Sequence, residues 1–357
     1  MKIGILTFHR AHNYGAVLQL YALTSYLKSL GKEIYVIDYY NKYVYDNYKF
    51  FNLNRIKCKN PIKLSYRIIK TILLVPEKLH KRYLFKDFLK KHFTLIEQKS
   101  ISTLDCIIVG SDQVWNPKIV GGFKNQYFGY DIPKNIKLVS YAASTEINTM
   151  TTENLHKYKE SLRNFKNICV REKKFAEYLS TTINQEIQVC IDPTLLLEKN
   201  IWEKFAIKSK EKNYVLVYQA RANKDIIRYA EKIAEKNNSQ IIILTSNVSS
   251  YDNKHIIKKY ATPEEFVGYF MNAKCVIALS FHAVVFSIIA QVPFYAIRLN
   301  DGWDNRVESL LRNLNLLDRF VTTDNIVEYS EIDYDRIDLK IKYLRDNSKE
   351  YLKAILS

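Results

Sequence analysis

Strand-like apolar runs alternate with helix-length amphipathic segments along most of this chain, and that alternation limits its fold more than any other feature. The strand-like run 2–8 is followed by segment 15–31, whose apolar residues recur at helical spacing, and then by a second strand-like run at 33–39. Strands that alternate with helices in this order are typical of β-α-β units. The sequence therefore predicts an α/β protein with parallel, doubly wound sheets.

The same plan is repeated in a second half of the chain. Further strand-like runs are predicted at 105–111, 137–144, 167–172, 186–193, 214–220 and 240–246, and helices at 223–237, 262–273 and 304–315. A chain of 357 residues is long enough for about two domains. We predict two Rossmann-like domains that face each other across a cleft, an N-terminal domain over 1–200 and a C-terminal domain with a helical tail over 201–357.

One segment of 23 residues, 275–297, contains no Asp, Glu, Lys or Arg and is long enough to span a bilayer. It nevertheless contains several residues that are costly in hydrocarbon: Ser280, His282, Ser287, Gln291 and Pro293. It also divides into a strand, a helix and a second strand after the proline. This composition favours a buried β-α-β core over a single membrane span.

Residues 40–100 interrupt the alternation with a stretch rich in Lys, Arg, Tyr and Phe, which predicts a basic helical insertion broken at Pro76. The whole chain carries 54 Lys and Arg against 37 Asp and Glu, a formal charge of +17 that favours polyanions or anionic membranes as partners. The insertion is either packed on the sheet with a solvated basic face or an interfacial patch for anionic lipid headgroups. On the second interpretation, residues 55–93 bind the inner face of the cell membrane peripherally.

Several classes of partner and cofactor are not indicated by the sequence. It has no helix-turn-helix, RNP-type or zinc-finger pattern, so no nucleic acid is expected as a partner. No HExxH, no paired Cys/His spacing and no DxD flanked by apolar strands predicts a metal site, and no GxSxG elbow predicts a serine hydrolase. The five cysteines lack a CxxC pair and the N-terminus lacks a signal peptide, so a reduced, cytoplasmic protein is expected.

Polar residues follow five of the predicted strands, and the ligands of doubly wound sheets bind beyond the carboxyl ends of the strands. After the first strand, His9, His12, Asn13 and Tyr14 come directly before a helix. A helix N-terminus offers unpaired N–H groups that suit a phosphate or carboxylate. Asn13 is equally expected to cap the helix, so the residues alone leave both roles open.

The second cluster is the segment GSDQVWNP, which begins at Gly110 directly after a predicted strand. Gly110 allows a sharp turn, after which Ser111, Asp112 and Gln113 are expected to point into the cleft. Trp115 is expected to form an apolar wall against a sugar ring. The alternative is structural, with Asp112 in an Asx turn and Trp115 in the core.

The remaining strand ends contribute Ser144, Arg171 and His282. Arg171 needs a partner, and the adjacent Glu172 is expected to point away from it, which leaves an anionic ligand or a structural ion pair elsewhere. His282 stands in the first turn of an otherwise apolar helix, where it is either a satisfied core or capping group or a functional side chain. These residues are therefore candidates for a site at the strand ends.

Seven segments of the chain resemble the polysaccharide pyruvyl transferase family and occur in that family's order. They extend over about residues 1–320 and comprise TFHRAHNYGAVLQLYAL, DCIIVGSDQVWNP, SYAAS, CVREKKFAEYL, VCIDPTLLL, LSFHAVVFSIIAQVPF and NRVESLLRNLNLLDR. The resemblance implies a two-domain fold like that of GT-B glycosyltransferases. It also implies transfer of the enolpyruvyl unit of phosphoenolpyruvate to two hydroxyls of a sugar, which gives a cyclic pyruvate ketal on a cell-surface glycan or its lipid-linked precursor.

The resemblance also implies which residues form the site. The family's Arg-Leu-His motif, whose arginine and histidine bind or activate phosphoenolpyruvate, corresponds here to Ser280, Phe281 and His282, so a serine replaces the arginine. His282 is predicted to transfer the proton, with His9 and His12 as reserve candidates. The predicted donor-binding residues are Arg171, Arg306, Ser280, Phe281, Asn13 and Tyr14, and the predicted acceptor-binding residues are Ser111, Asp112, Gln113, Trp115, Ser144 and His12.

Phosphoenolpyruvate carries about three negative charges, so a basic cleft with Arg171, Arg306 and a helix N-terminus is expected to hold it as co-substrate. The acceptor is expected to be a galactose-type sugar on a lipid-linked oligosaccharide, and no metal or further cofactor is expected. Two rival functions are a GT-B-type glycosyltransferase that uses a nucleotide sugar and a non-catalytic binder of anionic glycan or lipid.

Overall fold

The computed structural model describes residues 1–46, 61–146, 151–219, 224–245, 254–299, 304–324 and 329–357. Within these ranges the chain forms two sheets of parallel strands. Alternate residues of β1 (Lys2–Leu6) enter different apolar clusters, with Ile3 and Ile5 in one cluster and Leu6 in another. The sheet is therefore buried on both faces, as parallel sheets with crossover helices are. This confirms the predicted α/β fold.

The first sheet contains, within the described residues, seven strands in the order β3-β2-β1-β4-β5-β6-β7. The strands that follow β1 along the chain are β2 (Glu33–Ile37), β3 (Leu95–Ile96), β4 (Cys106–Asp112), β5 (Lys137–Ala143), β6 (Cys169–Val170) and β7 (Gln188–Val189). In the centre, Ile3 of β1 pairs with Cys106 of β4. The order reverses direction at β1, which places the end of β4 beside the end of β1 and near the middle of the sheet.

The second sheet contains six strands in the described part of the chain, in the order β10-β9-β8-β11-β12-β13. They are β8 (Tyr214–Gln219), β9 (Gln240–Thr245), β10 (Ile256–Lys258), β11 (Cys275–Ala278), β12 (Phe294–Ile297) and β13 (Phe320–Val321). Here β8 and β11 are the central pair, with Val217 opposite Ile277. The two halves thus share one topological plan, and each has its reversal at its first strand.

Helices connect and cover these strands. They are α1 (Tyr14–Ser29), α2 (Lys42–Asp46), α3 (Pro61–Leu73), α4 (Val75–His92), α5 (Pro117–Val120), α6 (Thr152–Ser161), α7 (Lys173–Ile183), α8 (Lys199–Phe205), α9 (Lys224–Lys236), α10 (Pro263–Met271), α11 (Phe281–Ala290), α12 (Asp304–Leu314) and α13 (Tyr334–Leu356). Thr262 and Glu265 form a reciprocal capping box at the start of α10. The helices predicted near 223–237, 262–273 and 304–315 correspond to α9, α10 and α12.

The strands predicted over 167–172 and 186–193 are much shorter in the structure, where β6 ends at Val170 and β7 at Val189. Arg171 and Glu172 follow β6 directly and open α7, with Glu172 at the N-cap position. Asp192 follows β7 and begins a 3-10 helix at Pro193, which has no N–H to offer a neighbouring strand. Arg171, Glu172 and Asp192, which follow these two short strands, contribute to the candidate site described below.

The uncharged segment 275–297 folds as the predicted strand, helix and strand, namely β11, α11 and β12. Ser280 caps α11 by accepting a hydrogen bond from the Ala283 N–H at 3.2 Å, and Ser287 donates to the Ala283 carbonyl at 2.8 Å. The two serine hydroxyls of this segment are therefore paired inside the fold. Among the described residues, no helix is both long and apolar enough to cross a membrane.

The basic insertion contains α3 and α4, and Pro76 lies in the first turn of α4, close to the predicted break. Residues 47–60 of the insertion lie outside the described residues. Phe85 and Phe88 of α4 are buried in the core, and its His92 lies 3.4 Å from Glu264 of α10. The insertion is therefore docked on the rest of the protein through α4.

The C-terminal helix α13 returns to the first sheet. The Tyr351 hydroxyl donates to the Ser140 carbonyl at 2.9 Å, and Ser348 accepts a hydrogen bond from the Ile191 N–H at 3.0 Å. The halves also meet at Tyr14 of α1, which stacks on Phe266 of α10 at 4.5 Å between ring centroids. The predicted boundary at residue 200 stays a prediction, and the helical tail spans both halves.

Candidate functional site

Charged side chains from both halves of the protein converge where their strands end. The first sheet contributes Asp112 at the end of β4, Arg171 after β6 and Asp192 after β7. The second half contributes His282 in the first turn of α11 and Arg306 in the first turn of α12. Their mutual distances, given below, define one cluster, which we name the junction cluster: Asp112, Arg171, Asp192, His282 and Arg306.

Asp112 ends β4 in an unusual backbone conformation, which begins at Gly110. Gly110 has φ +118°, and a side chain there would overlap the Tyr141 carbonyl, so only glycine fits. Asp112 itself has φ +75°, and its N–H donates to the Ser111 hydroxyl at 2.5 Å. This turn carries the carboxylate to within 3.8 Å of Arg171 Nη2 and 3.9 Å of Arg306 Nη1.

Arg171 is almost fully buried and makes two short ion pairs. Its Nη1 donates to Asp192 Oδ2 at 2.7 Å, and its Nε donates to Glu172 Oε1 at 3.0 Å. The expectation that Glu172 points away from Arg171 is therefore wrong, because the side chain of a cap residue is free to fold back toward its neighbour. Burial alone would lower the pKa of Arg171, but Glu172, Asp192 and Asp112 outweigh burial and raise that pKa. Arg171 thus stays charged.

Asp192 is the most deeply buried member of the junction cluster. Its Oδ1 accepts hydrogen bonds from the Thr194 N–H at 3.1 Å and the Thr194 hydroxyl at 2.7 Å. Its Oδ2 lies 3.5 Å from His282 Nε2. Burial alone would raise the pKa of Asp192, but His282, Arg171 and the Thr194 hydroxyl hold it well below the usual carboxyl range. Asp192 is therefore an ionised carboxylate beside the imidazole.

His282 lies where two helices from different halves begin. Ser280 caps α11, and His282 is the second residue of that helix. On the other side, Gly15 is the second residue of α1, and a Cβ at Gly15 would overlap the His282 ring at Nδ1. The N-termini of both helices, each with unpaired N–H groups and partial positive charge, therefore meet at this imidazole.

An aromatic ring separates the two arginines from the apolar core. The guanidinium carbon of Arg171 lies 4.5 Å from the centroid of the Phe281 ring, and that of Arg306 lies 5.6 Å from it. Both distances are within the range of cation–π attraction. The pKa of Arg306 is lowered, first by burial and then by the neighbouring Arg171. The guanidinium groups of Arg171 and Arg306 thus lie beside one aromatic ring.

Several buried polar atoms around the cluster make no hydrogen bond to the described residues. They are Arg171 Nη2, Glu172 Oε2, His282 Nε2 and Gln113 Nε2. A buried polar atom left unsatisfied typically costs about 1–3 kcal/mol, so native structures rarely leave several together. Three of these atoms belong to residues that touch one another or Asp192. Such a concentration is typical of a place where a polar ligand completes the hydrogen bonding.

Two predicted site residues have structural roles instead. Trp115 was expected to line the acceptor site, but it is 1% exposed, stacks on Phe128 and donates from Nε1 to the Tyr127 carbonyl at 2.9 Å. Tyr14 was expected to bind the donor, but its hydroxyl donates to the Ala261 carbonyl at 2.7 Å. Tyr14 opens α1 and Trp115 follows β4, and both rings are packed in the core.

Other predicted site residues hold neighbours of the junction cluster in place or lie apart from it. Ser144 donates to Glu172 Oε1 at 2.8 Å, and Ser111 is fully buried, so both hold neighbours in place. Asn13 is exposed and caps α1, accepting from the Ala16 N–H at 3.3 Å. Ser280 is likewise a cap. The side chain of Gln113 is buried beside Asp112.

The two reserve histidines lie outside the junction cluster. His9 Nε2 lies 2.9 Å from Asp38 Oδ1, and Arg10 binds the same carboxylate. His12 packs against Phe85 of the insertion, and burial, with the nearby Lys81 and Arg82, lowers its pKa to about 4. His12 is therefore neutral near pH 7 and is engaged with α4.

Sequence reasoning missed Asp192 and Glu172. Asp192 precedes a proline near the end of the predicted strand 186–193, a position like those that singled out the other candidates. Glu172 was set aside because it is adjacent to Arg171 in sequence. Among the described residues, no group of three or more His, Cys, Asp or Glu side chains is arranged to hold a metal ion.

The fold and the junction of two doubly wound halves define the class of protein. Two UDP-GlcNAc 2-epimerases are similar in structure: one from Methanocaldococcus jannaschii (TM-score 0.51, 13% identity, 100% of this chain and 99% of that chain) and one from Neisseria meningitidis (TM-score 0.50, 10% identity, 100% and 99%). UGT89C1 of Arabidopsis thaliana is also similar, with a TM-score of 0.47, 11% identity and 99% of each chain covered. At these identities the likeness shows the fold alone, and the fold is GT-B-like.

The sequence places the chain within that class. The profile of the polysaccharide pyruvyl transferases matches residues 13–301, which include Asp112, Arg171, Asp192 and His282. This chain belongs to the polysaccharide pyruvyl transferase family. Arg306 lies beyond the matched range, and no curated protein matches the chain significantly.

Proposed function

We propose that this protein transfers the enolpyruvyl unit of phosphoenolpyruvate to two hydroxyls of a sugar, forming a cyclic pyruvate ketal. The acceptor in this proposal is a galactose-type sugar of a cell-surface polysaccharide, carried on a lipid-linked precursor at the cytoplasmic face of the membrane. The observation that carries the proposal is the junction cluster itself. It combines two buried arginines, an imidazole beside a carboxylate, and two converging helix N-termini in a member of this family.

The donor is an anion, and the site offers three kinds of positive potential to it. Arg171 Nη2 has no hydrogen bond to the described residues, so one arm of this guanidinium is available to a carboxylate or phosphate oxygen. Arg306 Nη1 lies 3.9 Å from the carboxylate of Asp112. The N-termini of α1 and α11 add N–H groups around His282. We assign Arg171, Arg306 and these helix ends to donor binding.

Arg306 also offers a substitute for the arginine that the family motif has in the place of Ser280. The Ser280 side chain caps α11, so it does not take the place of a guanidinium. Arg306 belongs to α12, and its guanidinium lies near the Phe281 ring, which Arg171 also contacts. In this proposal the donor carboxylate is bound by an arginine that comes from a different helix.

The reaction needs one proton to be placed on the donor and two to be removed from the acceptor. The first hydroxyl adds to C2 of phosphoenolpyruvate while C3 takes a proton and becomes a methyl group. The second hydroxyl then displaces phosphate at C2, and its proton leaves with the phosphate. His282 carries the proton from the first hydroxyl to C3, since an imidazole can accept a proton and donate it again.

Asp192 acts on the reaction through His282. Its carboxylate is fixed by Thr194 and Arg171, and it faces Nε2 of the imidazole at 3.5 Å. An ionised carboxylate in that position orients the ring and stabilises the imidazolium that forms when His282 takes a proton. Asp192 is therefore a positioning residue.

The donor assay separates this proposal from its rivals. The protein is incubated with a galactoside acceptor and either phosphoenolpyruvate or a panel of UDP-sugars, and the product is examined by mass spectrometry. Phosphate release with the mass gain of one pyruvate ketal supports the proposal. Nucleotide release with a sugar-sized mass gain supports the glycosyltransferase instead, and no turnover with either donor favours a binding protein.

A further inference from the structure

We propose that the exposed apolar side of the α3–α4 hairpin is a docking surface for an anionic lipid membrane. We name it the hairpin surface and define it by the side chains that are more than a third exposed: Ile62, Ile68, Ile69, Ile72, Leu73, Leu79 and Tyr83. The inference does not depend on the transfer chemistry, because none of these residues contacts the junction cluster in the described structure.

Exposed apolar residues are concentrated on the hairpin surface. Of the seventeen large apolar side chains that are exposed among the described residues, seven belong to it, with Ile62 at 79% and Leu73 at 71%. Single exposed apolar residues are normal on soluble proteins, but a contiguous group of this kind marks an interaction site. On α3, Ile62, Ile69 and Leu73 recur at helical spacing, so they form one stripe along the helix.

The charge on the hairpin identifies the kind of partner. Residues 61–92 contain nine Lys or Arg and two Asp or Glu. On α3, Lys63 and Arg67 follow the apolar stripe at the same helical spacing. An apolar stripe bordered by basic residues is the pattern of helices that lie in a membrane interface, with aliphatic side chains in the acyl region and cations among anionic headgroups.

The charge also argues against other occupants. A second copy of the chain would bring the same excess of positive charge to the interface, and like charges facing each other are unfavourable. A nucleic acid would pair with the cations but would leave the isoleucines and leucines in water. Only an anionic lipid surface suits both the apolar hairpin surface and the cations of the hairpin.

The hairpin is held firmly enough to present this surface. Phe85 and Phe88 lie on the opposite side of α4 and are buried in the core. Lys91 and His92 at the end of α4 bind Glu264 of α10, at 3.1 Å and 3.4 Å. Leu79 and Tyr83 are therefore on the outward side of α4, whose inner side is already packed.

Vesicle flotation tests the proposal with the full chain. The probe is phosphatidylcholine vesicles containing phosphatidylglycerol at about 30 mol%. We expect binding at low ionic strength that weakens with added salt, and little binding to pure phosphatidylcholine. Ile69→Asp and Leu73→Asp are each expected to weaken binding at least about tenfold, since both remove an inserted side chain.

Leu339→Asp is the matched control, because Leu339 lies on α13, is 71% exposed like Leu73 and undergoes the same change of charge. It is expected to bind vesicles like the unaltered protein. The proposal is overturned if the unaltered protein fails to bind anionic vesicles at low salt, or if Leu73→Asp binds as well as Leu339→Asp. A dimer in sedimentation that Leu73→Asp dissociates, without vesicle binding, would assign the surface to a second copy instead.

Discussion

The junction cluster and the α3–α4 hairpin are both rich in cations, but they are built in opposite ways. In the cluster, Arg171 and Arg306 are buried with three carboxylates close by, those of Asp112, Glu172 and Asp192. In the hairpin, nine basic residues over 61–92 meet two acidic ones. The large positive charge of the chain therefore resides outside the candidate active site, and net charge predicts little about how a buried site binds its ligand.

Burial is the physical reason for this difference. A buried charge without a partner is very costly, so arginines that are to bind a ligand inside the fold need carboxylates to hold them when the ligand is absent. At a surface, water screens the same charges and no partners are needed. The arginines of the cluster are therefore already paired in the structure, and their binding of phosphoenolpyruvate stays a prediction.

The largest expected effect separates chemistry from docking. His282→Asn keeps much of the size and polarity of the side chain but removes the titrating group. We expect turnover to fall about 10²–10⁴-fold, as for the loss of a general acid–base group. Phosphate release measures it, and vesicle flotation of the same variant is expected to be unchanged. A folded variant with near-normal turnover would exclude His282 from the proton transfer.

A smaller loss is expected from Gly15→Ala, which acts on the cluster only through contact. The new methyl group overlaps the His282 ring, so the imidazole or α1 must shift. A displacement of about 1 Å at a catalytic group can lower turnover about 10²-fold.

The double variant Gly15→Ala/His282→Asn is the control for this prediction. It is expected to lose no more activity than His282→Asn alone, because both changes act on the same side chain. Additive losses in kcat would show that Gly15 acts elsewhere.

Donor affinity compares a buried arginine with a surface arginine. Arg306→Ala is expected to weaken phosphoenolpyruvate binding by about 1.5–3 kcal/mol, the range for hydrogen bonds to charged groups. Arg82→Ala on α4 is the matched control and is expected to leave donor affinity unchanged. Isothermal titration measures both, and equal affinities in the two variants would place the donor site away from Arg306.

Arg171 is less suited to this comparison. Its removal would leave the buried carboxylates of Asp192 and Glu172 without a cation, and breaking a buried pair in this way typically destabilises a protein by about 3–5 kcal/mol. We therefore expect Arg171→Ala to lower the melting temperature as well as activity. A thermal midpoint equal to that of the unaltered protein would show that the ion pairs contribute little to the fold.

The smallest effect concerns the carboxylate that anchors the hairpin. Burial alone would raise the pKa of Glu264, but hydrogen bonds from His92 and Lys91 lower it to about 2. A lowered pKa stabilises the fold above the ordinary carboxyl range, and that stabilisation is lost as the pH falls from about 5 toward 2.

Glu264→Gln is therefore expected to lower the free energy of unfolding by about 1–2 kcal/mol at pH 7, with a difference that shrinks in acid. Urea titrations at several pH values measure it. The control is Glu153→Gln, which removes an exposed pair with Lys157 and is expected to leave the free energy of unfolding nearly unchanged. A difference in unfolding free energy for Glu264→Gln that grows in acid would contradict the lowered pKa of Glu264.

Much of the fold was accessible from the sequence because period and composition are local properties. The uncharged segment 275–297 contained enough polar residues and a proline to be recognised as a strand, a helix and a strand. The bounds of β6 and β7 were not recognised, because the apolar residues Ile168 and Ile191 continue the pattern before β6 and after β7. An apolar pattern in the sequence indicates which residues are buried. Beside β6 and β7, buried residues continue into the turns.

The candidate site was accessible in part. Asp112, Arg171 and His282 were identified because strand ends are where doubly wound sheets bind ligands, and the structure brings them together with Arg306. Trp115 follows Asp112 by three residues and satisfied the same positional argument, but it packs in the core. Position along a strand restricts where a residue lies, but it does not decide which way a side chain after a turn will point.

The sequence by itself determined the α/β class, the two halves and the family, because these depend on periodicity and on the order of motifs along the chain. Only the tertiary structure decided that Asp192 faces His282, that Gly15 of α1 abuts the same imidazole, and that Arg171 is paired. These contacts join residues that are distant along the chain and belong to different strands or halves. No local pattern encodes them, because they result from how the two sheets pack against each other.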